Sequence, residues 1–440
     1  MRVSPPSGGA MFALPANNRV AILGPSHAAN HFNTSSASGF PSSPNGSAMG
    51  PVNWANFLSG GRAVLETADS FGWNGDRSSA DAGYPGELSR VDAVIASGAG
   101  TVVLVAPTAN DRNTMTAQQS IDNSRIMIER LAAAGLVVVV LPDYPHGSAA
   151  FPGLILPAAQ QTNWEAVNAW TLQQQGRNVY VIDTAAIMRD PAAVNGQAAA
   201  GLLNDGLHLQ QQAAYLIGRA MLPLWRRLFT PFFGFPSSNH DGTTARTIAG
   251  LDTLNPYLNG TGGSHGAGGS GTMPTGWTSQ LSAGLSAAFA KKTTTGFNGQ
   301  AYRDDESGPL TKDWLEIVVS GTATQAAEVI LLRQNYVAAM AAPHRAMAEI
   351  EIDPGYAGVN VVNLYAWQGD VAASQARAFA SPGPNQSTPL PAGGLRGVLR
   401  TPLFTFTGTQ NRLNLNVLPI NGAVVNATIR VRAIGCGTGL

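Results

Sequence analysis

Between Arg19 and Phe229 the chain alternates short, nearly unbroken aliphatic runs with longer segments whose apolar residues recur at helical spacing. The runs are Arg19–Leu23, Arg62–Glu66, Thr101–Ala106, Leu136–Leu141 and Asn178–Ile182. A strand with one wet face carries a polar residue at every second position, whereas a strand covered on both faces reads as continuous Val, Ile and Leu. Thr116–Ala134 places Ile121, Ile128 and Leu131 on one side and meets a stop at Gly135. Asn163–Gln175 and Gln210–Leu228 also read as helices. Such alternation predicts an α/β domain built on a parallel sheet, with ligands at the carboxyl ends of its strands.

The character changes after Thr230. Residues 233–276 hold the stretch NGTGGSHGAGGSGTMPTG, too rich in Gly, Ser and Thr to build a core, and are expected to form a linker or extended arm. From 277 to 440 strand-like runs follow one another: Trp314–Ser320, Ala346–Ile352, Val359–Trp367, Leu403–Thr407, Leu413–Leu418 and Ala427–Ala433. Residues 346–352 and 427–433 alternate with period two, as half-buried strands do. The run Ala323–Met340 reads either as a helix or as strands with Ala-rich loops. The expected organisation is an N-terminal extension (1–18), an α/β domain (19–232), a linker (233–276) and an all-β sandwich of jelly-roll type (277–440).

Charge narrows the functions open to the chain. Its 26 Lys and Arg balance 26 Asp and Glu, and charged residues make up only 12% of it. A nucleic-acid partner calls for a basic surplus, and none exists. The lone Cys436 excludes an intrachain disulfide. The longest apolar run, Leu131–Leu141, falls short of the ~20 residues of a membrane span. The N-terminal MRVSPPSGGAMFALPANN has Pro and Gly where a signal peptide keeps an apolar core, so release by lysis or packaging in a virus particle is expected rather than signal-peptide export.

Three segments end strands or open a helix with reactive side chains. Val20-Ala21-Ile22-Leu23-Gly24-Pro25-Ser26-His27 runs from a strand into a serine. Val102-Val103-Leu104-Val105-Ala106-Pro107-Thr108-Ala109-Asn110-Asp111 ends in Asn-Asp. Asn204-Asp205-Gly206-Leu207-His208 precedes the last helix. Acyl transfer from an ester needs a hydroxyl nucleophile, a neutral imidazole to take its proton, a carboxylate to orient the imidazole, and donors for the oxyanion. These segments supply each part. The three-residue spacing from Asp205 to His208 sets both side chains on one side of a single turn.

The ordered set resembles the SGNH/GDSL hydrolases, a three-layer α/β/α family of esterases, lipases and carbohydrate deacetylases, over residues 19–229. The resemblance implies Ser26 as nucleophile, His208 as general base and Asp205 as its orienting acid. It implies an oxyanion hole made by Ser26, by the backbone N–H of Gly75 (in Phe71-Gly72-Trp73-Asn74-Gly75-Asp76) and by the Asn110 side chain. Two positions depart from the family pattern. Pro25 stands where the family keeps Asp, which removes an N–H and fixes φ, and Thr108 stands where its third block keeps Gly.

His27 and His146 are candidate substrate contacts, with His146 the runner-up base, and Asp111 and Arg112 either line the cleft or cap the next helix. There is no His-x-x-x-His, no Cys pair and no phosphate loop, so neither metal nor cofactor is expected. Residues 277–440 resemble the carbohydrate-binding sandwiches of phage tail-associated proteins, which makes Trp314, Tyr365 and Trp367 either sugar-stacking or core aromatics. The combined expectation is a cofactor-free serine esterase acting on an O-acetylated surface polysaccharide. It would work as a homo-oligomer, a trimer among the options, beside other proteins of a virion. Two alternatives stand beside it: a non-catalytic receptor-binding or structural virion protein that keeps the hydrolase fold, and a bacterial carbohydrate esterase.

Overall fold

The structure is a computed structural model that describes residues 14–32, 45–81, 83–193, 195–230, 255–282, 284–295, 311–336, 340–369, 374–380 and 389–438. The chain divides into two compact units. The first comprises residues 1–42, 49–52 and 63–230; the second comprises 43–48, 53–62 and 231–440. This division differs from the contiguous spans expected above, because two short stretches of the N-terminal half belong to the second unit.

The first unit is built on five parallel strands: β1 (Arg19–Gly24), β3 (Val64–Gly72), β4 (Thr101–Val105), β5 (Val137–Leu141) and β6 (Val179–Val181). Their spatial order is β3-β1-β4-β5-β6, with every pairing parallel. Strand β2 (Asn45–Ser47) lies between β1 and β3 in sequence but belongs to the second unit. Chain progress therefore reverses between β1 and β4. At such a switch point the connections leave in opposite directions and open a crevice at the carboxyl ends of the strands. Both Ser26, after β1, and Asn110, after β4, follow strands that flank this crevice.

The unbroken aliphatic runs are explained by burial on both faces. On one face Ala21, Leu23, Val102, Leu104, Val138 and Val140 pack with Val91 and Val94 of helix α3 (Glu87–Ala96) and Met127, Ile128 and Leu131 of helix α4 (Ala117–Ala133). Their neighbours Val20, Ile22, Val103 and Val139 are buried too. Each fully buried aliphatic side chain contributes about 1.5–3 kcal/mol. Helix α4 starts at a capping box, in which the Thr116 hydroxyl accepts from Gln119 N–H and the Gln119 side-chain Oε1 accepts from Thr116 N–H. Short α1 (Ser26–Ala29), α2 (Pro51–Leu58), α5 (Ala158–Leu172), short α6 (Thr184–Met188) and α7 (Gln211–Leu228) are the other α-helices among the described residues. Helices α2 and α3 lie where the sequence reading placed none. The second strand, expected at Arg62–Glu66, runs over Val64–Gly72 instead.

The remaining strands are β7 (Ser264–His265), β8 (Gly269–Gly271), β9 (Thr278–Gln280), β10 (Leu285–Thr295), β11 (Thr311–Thr322), β12 (Val329–Tyr336), β13 (Met340–Ile352), β14 (Val359–Gln368), β15 (Ser374–Ala380), β16 (Leu395–Arg400), β17 (Phe404–Phe406), β18 (Asn411–Pro419) and β19 (Val424–Gly437). They form two seven-stranded sheets, β16-β13-β19-β11-β10-β8 with β17 against β13, and β2-β15-β14-β18-β12-β9-β7. Contacts of β13 with β14 and of β18 with β19 join the two sheets. Ala323–Met340 is resolved in favour of strand, since it contains β12.

The expected linker needs correction where it is described. Within 255–276, β7 pairs with β9 and β8 with β10. The Asn255 side chain donates to the carbonyls of Asn259 and Thr275, and the buried Trp277 indole donates to the Asn255 carbonyl. Backbone hydrogen bonds to neighbouring strands order a stretch that has little apolar surface of its own. Residues 233–254 lie outside the described residues.

Candidate active site

Ser26 opens α1 directly after β1. Pro25 precedes the helix at φ −80°, and its carbonyl accepts from Ala28 and Ala29 N–H. An N–H is dispensable at that point, because the first turn of a helix has no internal acceptor for it. Proline in place of the family's aspartate thus leaves the turn able to present Ser26. The hydroxyl of Ser26 lies 2.9 Å from His208 Nε2, and His208 Nδ1 lies 2.7 Å from Asp205 Oδ2.

Asp205 and His208 share one tight loop. Leu203 and Leu209, both buried, form a β-bridge that closes it, and Asn204 N–H donates to the His208 carbonyl at 2.8 Å. Gly206 in the middle adopts φ +82°, and a Cβ there would meet Phe151 and Leu154 at 2.7 Å. Both requirements demand glycine. The second oxygen of Asp205 accepts from Leu207 N–H at 3.0 Å and His208 N–H at 2.7 Å. Burial alone would raise the Asp205 carboxyl, but the hydrogen bonds from the His208 side chain and backbone outweigh it and hold the group well below the usual carboxylate range. Asp205 stays ionised, so the proton between it and His208 belongs on Nδ1, and Nε2 is left to accept from Ser26.

Ser26, Gly75 and Asn110, expected as oxyanion donors, are placed as follows. The Ser26 N–H sits at the start of α1, and the first turn of a helix leaves its N–H groups without an internal acceptor. Gly75 adopts φ +78°, and a Cβ there would meet the Tyr84 ring at 2.8 Å. Asn110 donates one amide hydrogen to the Asp76 carbonyl at 2.7 Å, which leaves the other free to point elsewhere. Asp76 is anchored in turn. Its carboxylate accepts from Gly86 N–H and pairs with Arg90, and Arg90 also donates to the Phe71 carbonyl. This Asp76–Arg90 strut ties the Gly75 loop to the end of β3, and it was not anticipated; a buried arginine in mid-helix carries no signal in sequence.

His27 and His146 lie beside the triad. The buried His27 ring stands 5.2 Å from that of His208 and edge-on to Tyr144 at 4.9 Å. Its Nε2 donates to the Leu207 carbonyl at 3.1 Å. Burial, then the neighbouring His208 and Arg112, press His27 down to about 3 despite the bond to Leu207, so the ring is neutral at physiological pH. His146 is also buried, and its Nε2 faces the Arg112 guanidinium. Burial and Arg112 together hold it well below its ordinary range. Among the described residues neither ring has a carboxylate partner of the kind that His208 has in Asp205. Asp111 does not line the cleft: it is buried and accepts from Ser78 N–H and Oγ.

Trp314 and Trp367 belong to the second unit, on β11 and β14 of different sheets. Trp314 is 2% exposed and cannot offer a ring face to a sugar, which corrects that expectation. Trp367 is partly exposed, with the Arg412 guanidinium 4.4 Å over its ring; Tyr365 carries Arg377 in the same way at 4.2 Å. Among the described residues no three His, Cys, Asp or Glu side chains gather as a metal site would require, and no helix is long and apolar enough to cross a membrane.

No family model and no curated protein matches the chain. Among solved structures it is similar to a carbohydrate acetylesterase from Sinorhizobium meliloti, at 12% identity over 48% of this chain and 100% of that one, with a TM-score of 0.35. It is similar to a GDSL-like lipase from Bacteroides thetaiotaomicron, at 12% identity over 48% of this chain and 88% of that one, with a TM-score of 0.34. A third likeness is to a carbohydrate-binding module of the β-sandwich superfamily, at 13% identity over 37% of this chain and 56% of that one, with a TM-score of 0.24. These likenesses are distant, and the chemistry rests on this chain's own residues.

Proposed function

We propose that the first unit is a cofactor-free serine esterase. The observation that carries this reading is the unbroken line Ser26 Oγ, His208 Nε2, His208 Nδ1, Asp205 Oδ2, with links of 2.9 and 2.7 Å, at the crevice where sheet order reverses. Ser26 Oγ attacks the ester carbonyl carbon while its proton passes to His208 Nε2. The Asp205 carboxylate stabilises the imidazolium that results. Ser26 N–H, Gly75 N–H and the free Asn110 amide hydrogen receive the oxyanion. Collapse breaks the bond to the alcohol, which leaves with the proton from His208. Water then attacks the acyl-serine with His208 as base, releases the acid and restores Ser26.

The substrate class we assign is an O-acetylated polysaccharide, with the second unit's β-sandwich holding the chain of sugars. The scarcity of charge and the Gly/Thr-rich segments similar to those of phage tail-associated proteins support a place in a virion, as a tail fibre or spike component, and a homo-oligomeric state. Incubation with a fluorophosphonate probe, followed by peptide mapping, tests the chemistry. Labelling at Ser26 together with p-nitrophenol release from p-nitrophenyl acetate is expected, and an unlabelled Ser26 sinks the reading. A glycan array probed with the whole chain tests the substrate class; light scattering tests the oligomer.

A further inference from the structure

Two residues beyond the oxyanion donor Asn110 stands a cation whose partners are incomplete. Arg112 is half-buried, and its guanidinium meets His146 Nε2. An arginine can only donate, so His146 must accept there and carry its proton on Nδ1. Among the described residues no carboxylate lies at ion-pair distance from Arg112. The two nearest candidates are spoken for. Asp111 is bonded to Ser78, and Asp143 accepts from Thr108 N–H at 3.1 Å and from Thr108 Oγ1 at 2.6 Å. A guanidinium drawn out of water needs a paired anion, and one neutral imidazole nitrogen does not supply it.

The surroundings hold this cation in place rather than neutralise it. The Asp143 loop is fastened to α5, with the Asp143 carbonyl accepting from Trp164 Nε1 at 3.2 Å and Asn168 Nδ2 at 2.9 Å. His146 lies three residues along the same loop. Burial lowers Arg112 only to about 10, opposed by the charges of Asp143 and Asp111, so it remains a cation. Its field reaches the site, since both His27 and His146 are pushed down by it. The recorded hydrogen bond of the guanidinium is the one from Nη1 to His146, and a planar guanidinium fork is the group that binds carboxylates two-fold.

We propose that Arg112 receives a carboxylate of the substrate, so that the ester cleaved at Ser26 is carried by an acidic, uronate-type glycan. This rests on the esterase reading and narrows its substrate class. The fully charged and the neutralised form of one polymer provide the test: O-acetylated polygalacturonate, and the same polymer with its carboxylates methyl-esterified. The wild-type chain is expected to show kcat/KM about 10- to 100-fold higher on the charged polymer, mostly through KM, as a charge-assisted contact commands. Arg112→Gln should collapse that ratio towards one, and Arg112→Lys should recover part of it. Equal kcat/KM on the two polymers in the wild type overturns the proposal while p-nitrophenyl acetate turnover leaves the esterase reading standing. Absence of turnover on every ester tells against the esterase reading itself. Calorimetric titration with trigalacturonate then reads the contact without chemistry: binding at least tenfold weaker in Arg112→Gln supports the proposal, and equal binding overturns it.

Discussion

The two units use the same few ionisable residue types in opposite ways. In the second, charges face their partners across neighbouring strands. Glu316 on β11, Arg430 on β19 and Glu351 on β13 stand opposite one another in register, joined by Lys292 and Asp353 at the flanks, and Arg432 pairs with Glu349. Each of these charges meets an opposite one across the sheet, and the result is a ladder that fixes strand register. In the first unit, polar side chains crowd one end of the sheet and several stay incomplete. His27 Nδ1 and Tyr144 Oη are buried without a partner, and both Glu87 oxygens are as well. Burial holds the Glu87 carboxyl well above its usual range. An unsatisfied buried polar atom costs about 1–3 kcal/mol. What separates the units is the gathering of ionisable groups at one end of a sheet in the first and their pairing across strands in the second, and such gathering is what a reactive site calls for.

The contrast can be broken at four points. Ser26→Ala should reduce ester turnover by about 10⁴-fold or more while the thermal midpoint stays put; residual turnover near the wild-type rate would remove the first unit's claim to chemistry. Asn110→Ala should cost about 10²–10³ in kcat with little change in KM, since its donor acts on the oxyanion. In the second unit the expectation is reversed. Arg430→Leu removes the guanidinium that meets the fully buried Glu351 and should destabilise by about 3 kcal/mol, seen in denaturant unfolding, with no change in ester turnover. A loss of turnover in the still-folded variant would contradict the separation of roles.

The smallest effect concerns His31, buried and outside the triad. Its Nδ1 donates to the His27 carbonyl at 3.1 Å and its Nε2 accepts from Val52 N–H at 3.3 Å, an arrangement only the neutral ring can keep. Burial holds it down to about 4. Its folded value lies below the unfolded one of about 6.5, so its stabilising contribution is complete above that pH. The contribution is lost as pH falls through 6.5 towards about 4, at about 1 kcal/mol per unit. The gap in unfolding free energy between wild type and His31→Gln should therefore narrow on acidification from pH 7 to 4.5. A constant gap would show that the ring is not held neutral.

Legibility in the sequence followed the range of the forces involved. Strands β1, β4 and β5 could be read because double-sided burial writes itself into every residue. Strand β3 was misplaced because its second half puts polar Asp69 and Ser70 in buried positions, so in sequence the strand reads as ending at Glu66. The loop Asp205–His208 was readable because acid, base and bridge are local. By contrast Arg90, Tyr144 and the partner of Arg112 depend on contacts between distant segments, which leave no local periodicity. Glycine- and serine-rich β8 and the Asn45–Ser47 strand look like turns in composition; their order comes from backbone hydrogen bonds to neighbours. The burial of Trp314 was equally unreadable, since an aromatic residue suits a core and a sugar platform alike.

The loop that carries Asp205 and His208 has a consequence for how such a site endures change. Acid and base are aligned within three residues by a bridge between two leucines and one glycine, whereas serine and base are separated by 182 positions. Drift in the strands, by substitution or by insertion between them, reaches the catalytic line at a single joint, the gap between Ser26 and His208. The dyad behaves as a self-contained cartridge, and a scaffold that offers a serine at the right height beside it inherits the rest of the alignment.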